Sequence, residues 1–278
     1  MTFPDQDSVN RIIDTALEED IGRGDLTSAA TLGEDTQLQL VMATREEIVV
    51  AGLGIAEQIF HRLAPDSQIQ CQTKDGDKLA SGTLLMTLEG PARGLLTAER
   101  TALNLVQMLS GIATQTRRYV DAIDGTGAVL LDTRKTIPGL RVLSKYAAAM
   151  GGATNHRMRL DDGVLIKDNH IAVAGSVMAA VTLAQEAGLK DIEVECDTLE
   201  QVKEALEADA DKILLDNMSN DELRQAVKMT AGRLSLEASG GVNLQTIRAI
   251  AETGVDFISV GRITQSAPAV DIGLDMAS

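Results

Sequence analysis

The chain has 278 residues and a formal net charge of −16, from 25 basic and 41 acidic side chains. An acidic surface of this kind repels phosphate backbones and argues against nucleic acid as the main partner. Apolar residues make up 44% of the chain, which excludes a disordered polymer; with three Phe, two Tyr and no Trp, the core has to be aliphatic. Two cysteines, Cys71 and Cys196, are too few for a disulfide framework and fit a reducing cytoplasm. The opening residues, MTFPDQDSVN, lack the basic-then-apolar pattern of a signal peptide. The uncharged apolar run at 48–56 is too short to span a bilayer. The expectation is a cytoplasmic protein without membrane contact.

The first hundred residues mix element types. Ser8 is placed to cap a helix over 9–19, with Ile12, Ile13, Ala16 and Leu17 on one face. The Gly22-Arg23-Gly24-Asp25 stretch ends it. Strand-like runs follow at 38–43, 47–51, 68–72 and 83–89, with a helix at 54–63 between the second and third. Gly52-Leu53-Gly54 is no dinucleotide fingerprint, because the third glycine and its strand–helix–strand frame are missing. His61 reads as a surface or internally satisfied side chain. A long helix, with apolar residues recurring at helical spacing, is predicted from about 97 to 123.

From there the pattern is regular. Apolar runs rich in Val, Ile and Leu at 128–132, 163–166, 192–196, 212–216, 234–238 and 257–260 alternate with helical stretches at 141–150, 176–186, 199–208, 221–230 and 244–253. Alternation of this kind means parallel strands with helical crossovers. Six compact units without a dinucleotide fingerprint favour an α/β barrel over an open sheet.

Polar residues collect where these strands end. The first runs into Asp132-Thr133-Arg134-Lys135, the second into Lys167-Asp168-Asn169-His170, the third ends on Glu195 and the fourth on Asp216-Asn217. The fifth leads to Ser239-Gly240-Gly241 and the sixth to Val260-Gly261-Arg262. In a barrel these ends form one rim, and that rim carries the active site.

Residues 131–170 hold seven Lys/Arg against four Asp, and two of the three histidines, His156 and His170. A cationic island in an acidic chain points to a small, highly anionic ligand. Arg134, Lys135, Arg157 and Lys167, with His156, form the candidate anion grip, since guanidinium forks pair bidentately with carboxylate or phosphate. The alternative is that these cations pair locally with Asp132, Asp161 and Asp168. The two glycine turns, each read as preceding a helix, suit a phosphate cradle, or are ordinary strand–helix turns. Glu195 and Asp216 offer oxygen ligands of the kind Mg²⁺ takes, or simply balance Lys135 and Lys167. Cys196 alternates with Glu195 and so faces the packed side of its strand.

The residues that carry a family resemblance are Leu131 through Arg141 (LDTRKTIPGLR), Gly151-Gly152 through Asn155-His156-Arg157, and Leu165 through His170 (LIKDNH). Glu99 through Asn104 and Leu109 through Thr114 add to it. Together they resemble the quinolinate phosphoribosyltransferase family over nearly the whole chain. The resemblance implies an α/β fold with an N-terminal α+β sandwich domain and an incomplete α/β barrel domain. It places the first at 1–110 and the second at 111–268, with 269–278 returning to the first. It implies transfer of phosphoribosyl from phosphoribosyl pyrophosphate to quinolinate with loss of CO₂, giving nicotinate mononucleotide and pyrophosphate. It implies Mg²⁺ as cofactor and a homodimer in which Arg100 crosses the interface.

Carried over by motif, Arg134, His156, Arg157, Lys167 and that Arg100 grip the quinolinate carboxylates, with Thr133 and Lys135 in the same run. Glu195 and Asp216 hold the ribose hydroxyls and the metal. Ser239, Gly240, Gly241, Val260, Gly261 and Arg262 bind the 5′-phosphate region. Lys135, Lys167, Glu195 and Asp216 are the expected catalytic set. The sequence departs from the family pattern at Arg262, where Ala is common, at Gln265, where His is common, and at Ser144, where an acid is common. Other readings compete: a related transferase acting on nicotinate or another aromatic acid, an aldolase with Lys167 as Schiff-base nucleophile, and a non-catalytic anion-binding barrel.

Overall fold

A computed structural model describes residues 3–277. In chain order the first elements are α1 (Gln6–Ile21), α2 (Leu26–Thr31), β1 (Gln37–Thr44), β2 (Ile48–Val49), α3 (Leu53–Leu63), β3 (Gln68–Cys71), β4 (Lys78–Leu79), β5 (Leu84–Pro91) and α4 (Ala92–Ala122). Then follow β6 (Val129–Leu131), α5 (Arg141–Met150), β7 (Val164–Ile166), α6 (Asp168–Ala174), α7 (Val177–Glu186), β8 (Ile192–Cys196), α8 (Leu199–Glu207) and β9 (Lys212–Asp216). The last are α9 (Asn220–Thr230), β10 (Ser235–Ser239), α10 (Ile247–Ala251), β11 (Phe257–Ser259), α11 (Arg262–Gln265) and β12 (Ile272–Met276). No described helix is long and apolar enough to cross a membrane.

The chain divides into two compact units. One comprises residues 1–117, 136–152 and 263–278; the other comprises 118–135 and 153–262. The expected boundary at 110/111 falls inside the continuous helix α4.

The first unit is built on an antiparallel sheet in the order β12-β1-β5-β3. Strand β12 pairs with β1 from Leu40 opposite Met276 to Thr44 opposite Ile272. Helix α1 buries Val9, Ile13 and Leu17, which recur every fourth residue and so share one face. Its N-cap is Asp5, whose carboxylate accepts from the Ser8 backbone N–H at 2.9 Å. Ser8, expected to cap, is instead the residue capped. Helix α4 starts at Ala92, not near 97, and runs through Gly94. A Cβ at Gly94 would collide with the Leu63 carbonyl at the end of α3, so glycine there serves close packing.

The second unit holds a parallel sheet in the order β6-β11-β10-β9-β8-β7. Strands 7 to 11 lie side by side in chain order, and β6 joins the far edge beside β11. Among the described residues, a single bridge, Leu131 to Thr154, stands where a closed barrel would continue from β6. The barrel is therefore incomplete. Its crossover helices carry their own start signals. Thr198 accepts from the Gln201 N–H while the Gln201 side chain accepts from the Thr198 N–H at 3.2 Å, a reciprocal cap whose loss costs about 1 kcal/mol.

The helix expected over 244–253 is only Ile247–Ala251, because Asn243 captures the preceding backbone: its Oδ1 accepts from Gln245 N–H at 2.9 Å and Thr246 N–H at 3.2 Å. The segment after Lys167, to which no element was assigned, forms α6. The core is aliphatic as expected. Cys196 lies buried against it, and burial pushes its thiol up to about 12.

Candidate active site

Each barrel strand delivers polar side chains from its C-terminal end or its inner face. They converge on a cavity of about 350 Å³ within the second unit, lined by Thr133, Arg134, Lys135, His156, Arg157, Lys167, Glu195, Asp216 and Ser239 among others. Nine of the expected site residues thus meet in one place. Val260 is buried, and Gly240, Gly241, Val260, Gly261 and Arg262 do not line the cavity. Arg262 is exposed. Arg100 lies on α4 in the first unit and is also exposed.

The cations are crowded. Burial and then the charge of Arg134 both press Arg157 below its ordinary value. Arg157 Nη1 donates to the Gly163 carbonyl at 2.9 Å, which aims the guanidinium. Two arginines this close are costly unless an anion joins them. Of the acids that were candidate local partners, Asp161 accepts from Arg159 at 2.8 Å. Asp132 accepts from Asn155 Nδ2 at 2.6 Å and from the His156 N–H at 2.8 Å, so it shapes the loop that carries His156 and Arg157.

Opposite the arginines sit the carboxylates. Lys167 Nζ donates to Glu195 Oε2, so part of the expected charge balancing is real. Asp216 accepts from Asn217 Nδ2 at 2.6 Å. Its carboxyl lies above the usual range because burial, then Glu195 and Asp197, outweigh relief from Lys167 and Lys135. This corner carries more negative charge than its lysines cancel, which suits a bound cation.

The glycine turns differ from expectation. After Ser239-Gly240-Gly241 the helix α10 begins only at Ile247, and α11 after Gly261 is four residues long, so neither turn opens directly onto a substantial helix dipole. What Gly240 provides is room. It has φ +92°, and a Cβ there would strike Asn217 Oδ1 and stand 2.8 Å from the Asn217 backbone nitrogen. Gly240→Ala is expected to lower stability by about 2–4 kcal/mol, from left-handed strain plus the clash. It should also displace Asp216, the neighbour of Asn217, and reduce turnover. Denaturant unfolding checks this, and an unchanged midpoint would contradict the close approach.

Below the rim lies a charged layer that the sequence reading missed. Glu237, in the middle of β10, lines the cavity floor with 0% exposure. Lys212 Nζ donates to Glu237 Oε2 at 2.6 Å and lies 3.1 Å from Glu193 Oε1. His156 Nε2 lies 3.2 Å from Glu193 Oε2 and 3.4 Å from Glu237 Oε2. The available signal was alternation: Ile192-Glu193-Val194-Glu195 and Leu236-Glu237-Ala238 put acids at inward positions of buried parallel strands. Ordinary barrels fill such positions with Val, Ile and Leu.

Both nitrogens of His156 are engaged by the protein. The Arg157 N–H donates to Nδ1 at 2.8 Å, and Nε2 faces the two glutamates. Burial disfavours the imidazolium, but hydrogen bonds and charge from Glu193 and Glu237 outweigh it and lift the group to about 9. A second proton at Nδ1 would oppose the Arg157 amide, so carboxylates and amide compete for the charge state.

Comparison with known proteins agrees with this architecture. Residues 25–110 match the sequence profile described as quinolinate phosphoribosyl transferase, N-terminal domain, and residues 112–275 match the profile of its C-terminal domain. The chain is 43% identical over 270 residues to a probable nicotinate-nucleotide pyrophosphorylase [carboxylating] of Bacillus subtilis, covering 96% of this chain and 93% of that one. It is 43% identical to the nicotinate-nucleotide pyrophosphorylase [carboxylating] of Mycobacterium leprae, covering 97% and 98%. The solved structure of the nicotinate-nucleotide pyrophosphorylase from Francisella tularensis superposes with a TM-score of 0.94 at 42% identity, over 98% of this chain and 96% of that one. With the two profiles matched over residues 25–110 and 112–275 and the cation-rich barrel rim in place, the chain belongs to the quinolinate phosphoribosyltransferase family.

Proposed function

We propose that this protein transfers phosphoribosyl from phosphoribosyl pyrophosphate to quinolinate, with loss of CO₂, giving nicotinate mononucleotide and pyrophosphate on a route to NAD. The observation that carries this reading is the crowding of Arg134 against Arg157 at one cavity that also receives Lys135 and Lys167. That much positive charge exceeds what one carboxylate requires and favours a diacid over nicotinate.

The residues divide by charge. Arg134, Arg157 and Lys167 hold the two carboxylates and aim the pyridine nitrogen at the ribose C1. As that bond forms, the C1–oxygen bond breaks, and Lys135 stabilises the negative charge on departing pyrophosphate. The new pyridinium accepts the electron pair when the adjacent carboxylate leaves as CO₂, and a proton from solvent completes the product. Glu195 and Asp216 bind the ribose hydroxyls. The same pair, under-neutralised by its lysines, would hold Mg²⁺ partly through water. When bound, that ion supplies further charge neutralisation for the leaving group. Ser239 and the backbone at Gly240, Gly241 and Gly261 face the 5′-phosphate.

The working assembly in this reading is a homodimer, with Arg100 of the partner subunit completing the carboxylate grip. The reading places the enzyme in the cytoplasm. Lys167 as a Schiff-base nucleophile fits poorly, because its amine is tied to Glu195.

The test is product formation followed by mass spectrometry, from quinolinate, phosphoribosyl pyrophosphate and Mg²⁺, with nicotinate in parallel and EDTA as control. Nicotinate mononucleotide should appear from quinolinate alone and disappear with EDTA. A folded dimer that leaves quinolinate unchanged would overturn the substrate assignment.

A further inference from the structure

Of the two histidines in the cationic stretch, His156 lines the cavity and His170 does not. His170 is exposed and is the third residue of α6, whose N-cap is Lys167. Lysine is a poor cap. Ser, Thr, Asp and Asn serve at helix starts because a side-chain oxygen accepts from the first turn, and an ammonium has no acceptor. Helices α8 and α9 follow that rule, with Thr198 and Ser219 at their N-caps. In both, the third residue reaches back: Gln201 accepts from the Thr198 N–H at 3.2 Å and Glu222 from the Ser219 N–H at 2.8 Å.

At α6 the N-cap position is given over to an ammonium that enters the cavity, and the reach back from the third residue remains. The Lys167 N–H donates to His170 Nδ1 at 2.9 Å. The Lys167 carbonyl accepts from the N–H of Ile171 at 3.0 Å, and Ile171 is buried. Its Nζ donates to Glu195. Lys167 is thus held at three points. The kind of acceptor matters for charge. A glutamate at the third position, as in α9, would bring a further carboxylate to compete with Glu195 for the ammonium. An imidazole nitrogen makes the same backbone hydrogen bond without adding negative charge beside the anion grip.

We propose that His170 is a positioning residue for Lys167: its Nδ1 holds the Lys167 backbone just beyond β7 and so fixes where the ammonium enters the cavity. His170 does not touch the substrate. It replaces the support that a Ser or Thr cap would have given, at a position where the cavity needs a cation. The inference rests on the proposed function, in which Lys167 grips the diacid.

Asn and Leu at position 170 separate the acceptor from the shape. The two side chains branch alike, and Asn carries Oδ1 on Cγ where His carries Nδ1. In steady-state kinetics of the intact enzyme, His170→Leu should lower kcat/KM for quinolinate about fivefold, the scale of one solvent-accessible hydrogen bond. His170→Asn should keep the native value within about twofold, because the acceptor is restored. The loss should vanish where there is no ammonium to position: adding His170→Leu to Lys167→Met should cost less than about twofold more. Leu and Asn behaving alike, or an undiminished loss on top of Lys167→Met, would overturn the proposal. Amide hydrogen exchange followed by NMR needs no substrate. The Lys167 N–H should be protected in the native and His170→Asn proteins and exchange faster in His170→Leu. Free exchange in the native protein would also overturn the proposal. The expected exchange pattern without quinolinate turnover would strike the substrate reading and leave the hold on Lys167 standing.

Discussion

Arg157→Ala is expected to reduce kcat/KM for quinolinate by about a thousandfold, the scale for removing one partner of a desolvated charge pair. The argument is geometric. Arg157 is tethered at both ends of its reach, by its amide on His156 Nδ1 and by Nη1 on the Gly163 carbonyl. A guanidinium held this way presents its remaining donors without paying for orientation on binding. Removing it leaves one substrate carboxylate without its cation in a cavity that Glu237 also lines. The penalty is then not only a lost contact but an uncompensated negative charge beside another. KM for phosphoribosyl pyrophosphate should change little. Arg157→Lys should recover only part of the loss, since an ammonium has no planar fork. Near-normal kcat/KM in Arg157→Ala would sink the assignment of this residue to the diacid.

The second large effect is expected from Lys167→Met, a fall in kcat of about a hundred- to a thousandfold, the range seen when one electrostatic stabiliser is removed. Lys167 faces two ways. Its ammonium holds Glu195, whose side chain is only 8% exposed, and it lines the same cavity as Arg134 and Arg157. Its loss therefore weakens the anion grip and frees a buried carboxylate to repel Asp216. The two residues should act as a unit. Lys167→Met combined with Glu195→Gln is expected to be much less harmful than the product of the single effects. Steady-state kinetics of the four proteins check this. Full additivity would show that the ion pair is incidental.

What could be read from the residues was mostly what repeats. The six parallel strands announced themselves because runs of Val, Ile and Leu flanked by caps and turns are local signals, and the strands at Ile192–Cys196 and Lys212–Asp216 lie where they were expected. The rim residues followed from topology, since strand ends must converge in a barrel. Other features depended on partners far along the chain. The first turn of α4, with Gly94 in it, was missed because the close approach of the Leu63 carbonyl that calls for glycine there is invisible in a linear reading. The short helix α10 reflects a side-chain competition at Asn243 that spacing alone does not reveal. Glu237 and Lys212 sat inside runs judged by their apolar members, so the charged layer was passed over. Its significance appears only when β8, β9 and β10 stand side by side.

The pairing of β12 with β1 bears on how the protein is made. A ribosome releases β1 long before β12, with the whole barrel in between. Until β12 arrives, one edge of β1 keeps unpaired N–H and C=O groups of the kind that template association with another chain. Among the described strands, closing that edge is the most sequence-distant pairing, and distant pairings form slowly. The nascent first unit is thus the stage at which aggregation competes with folding.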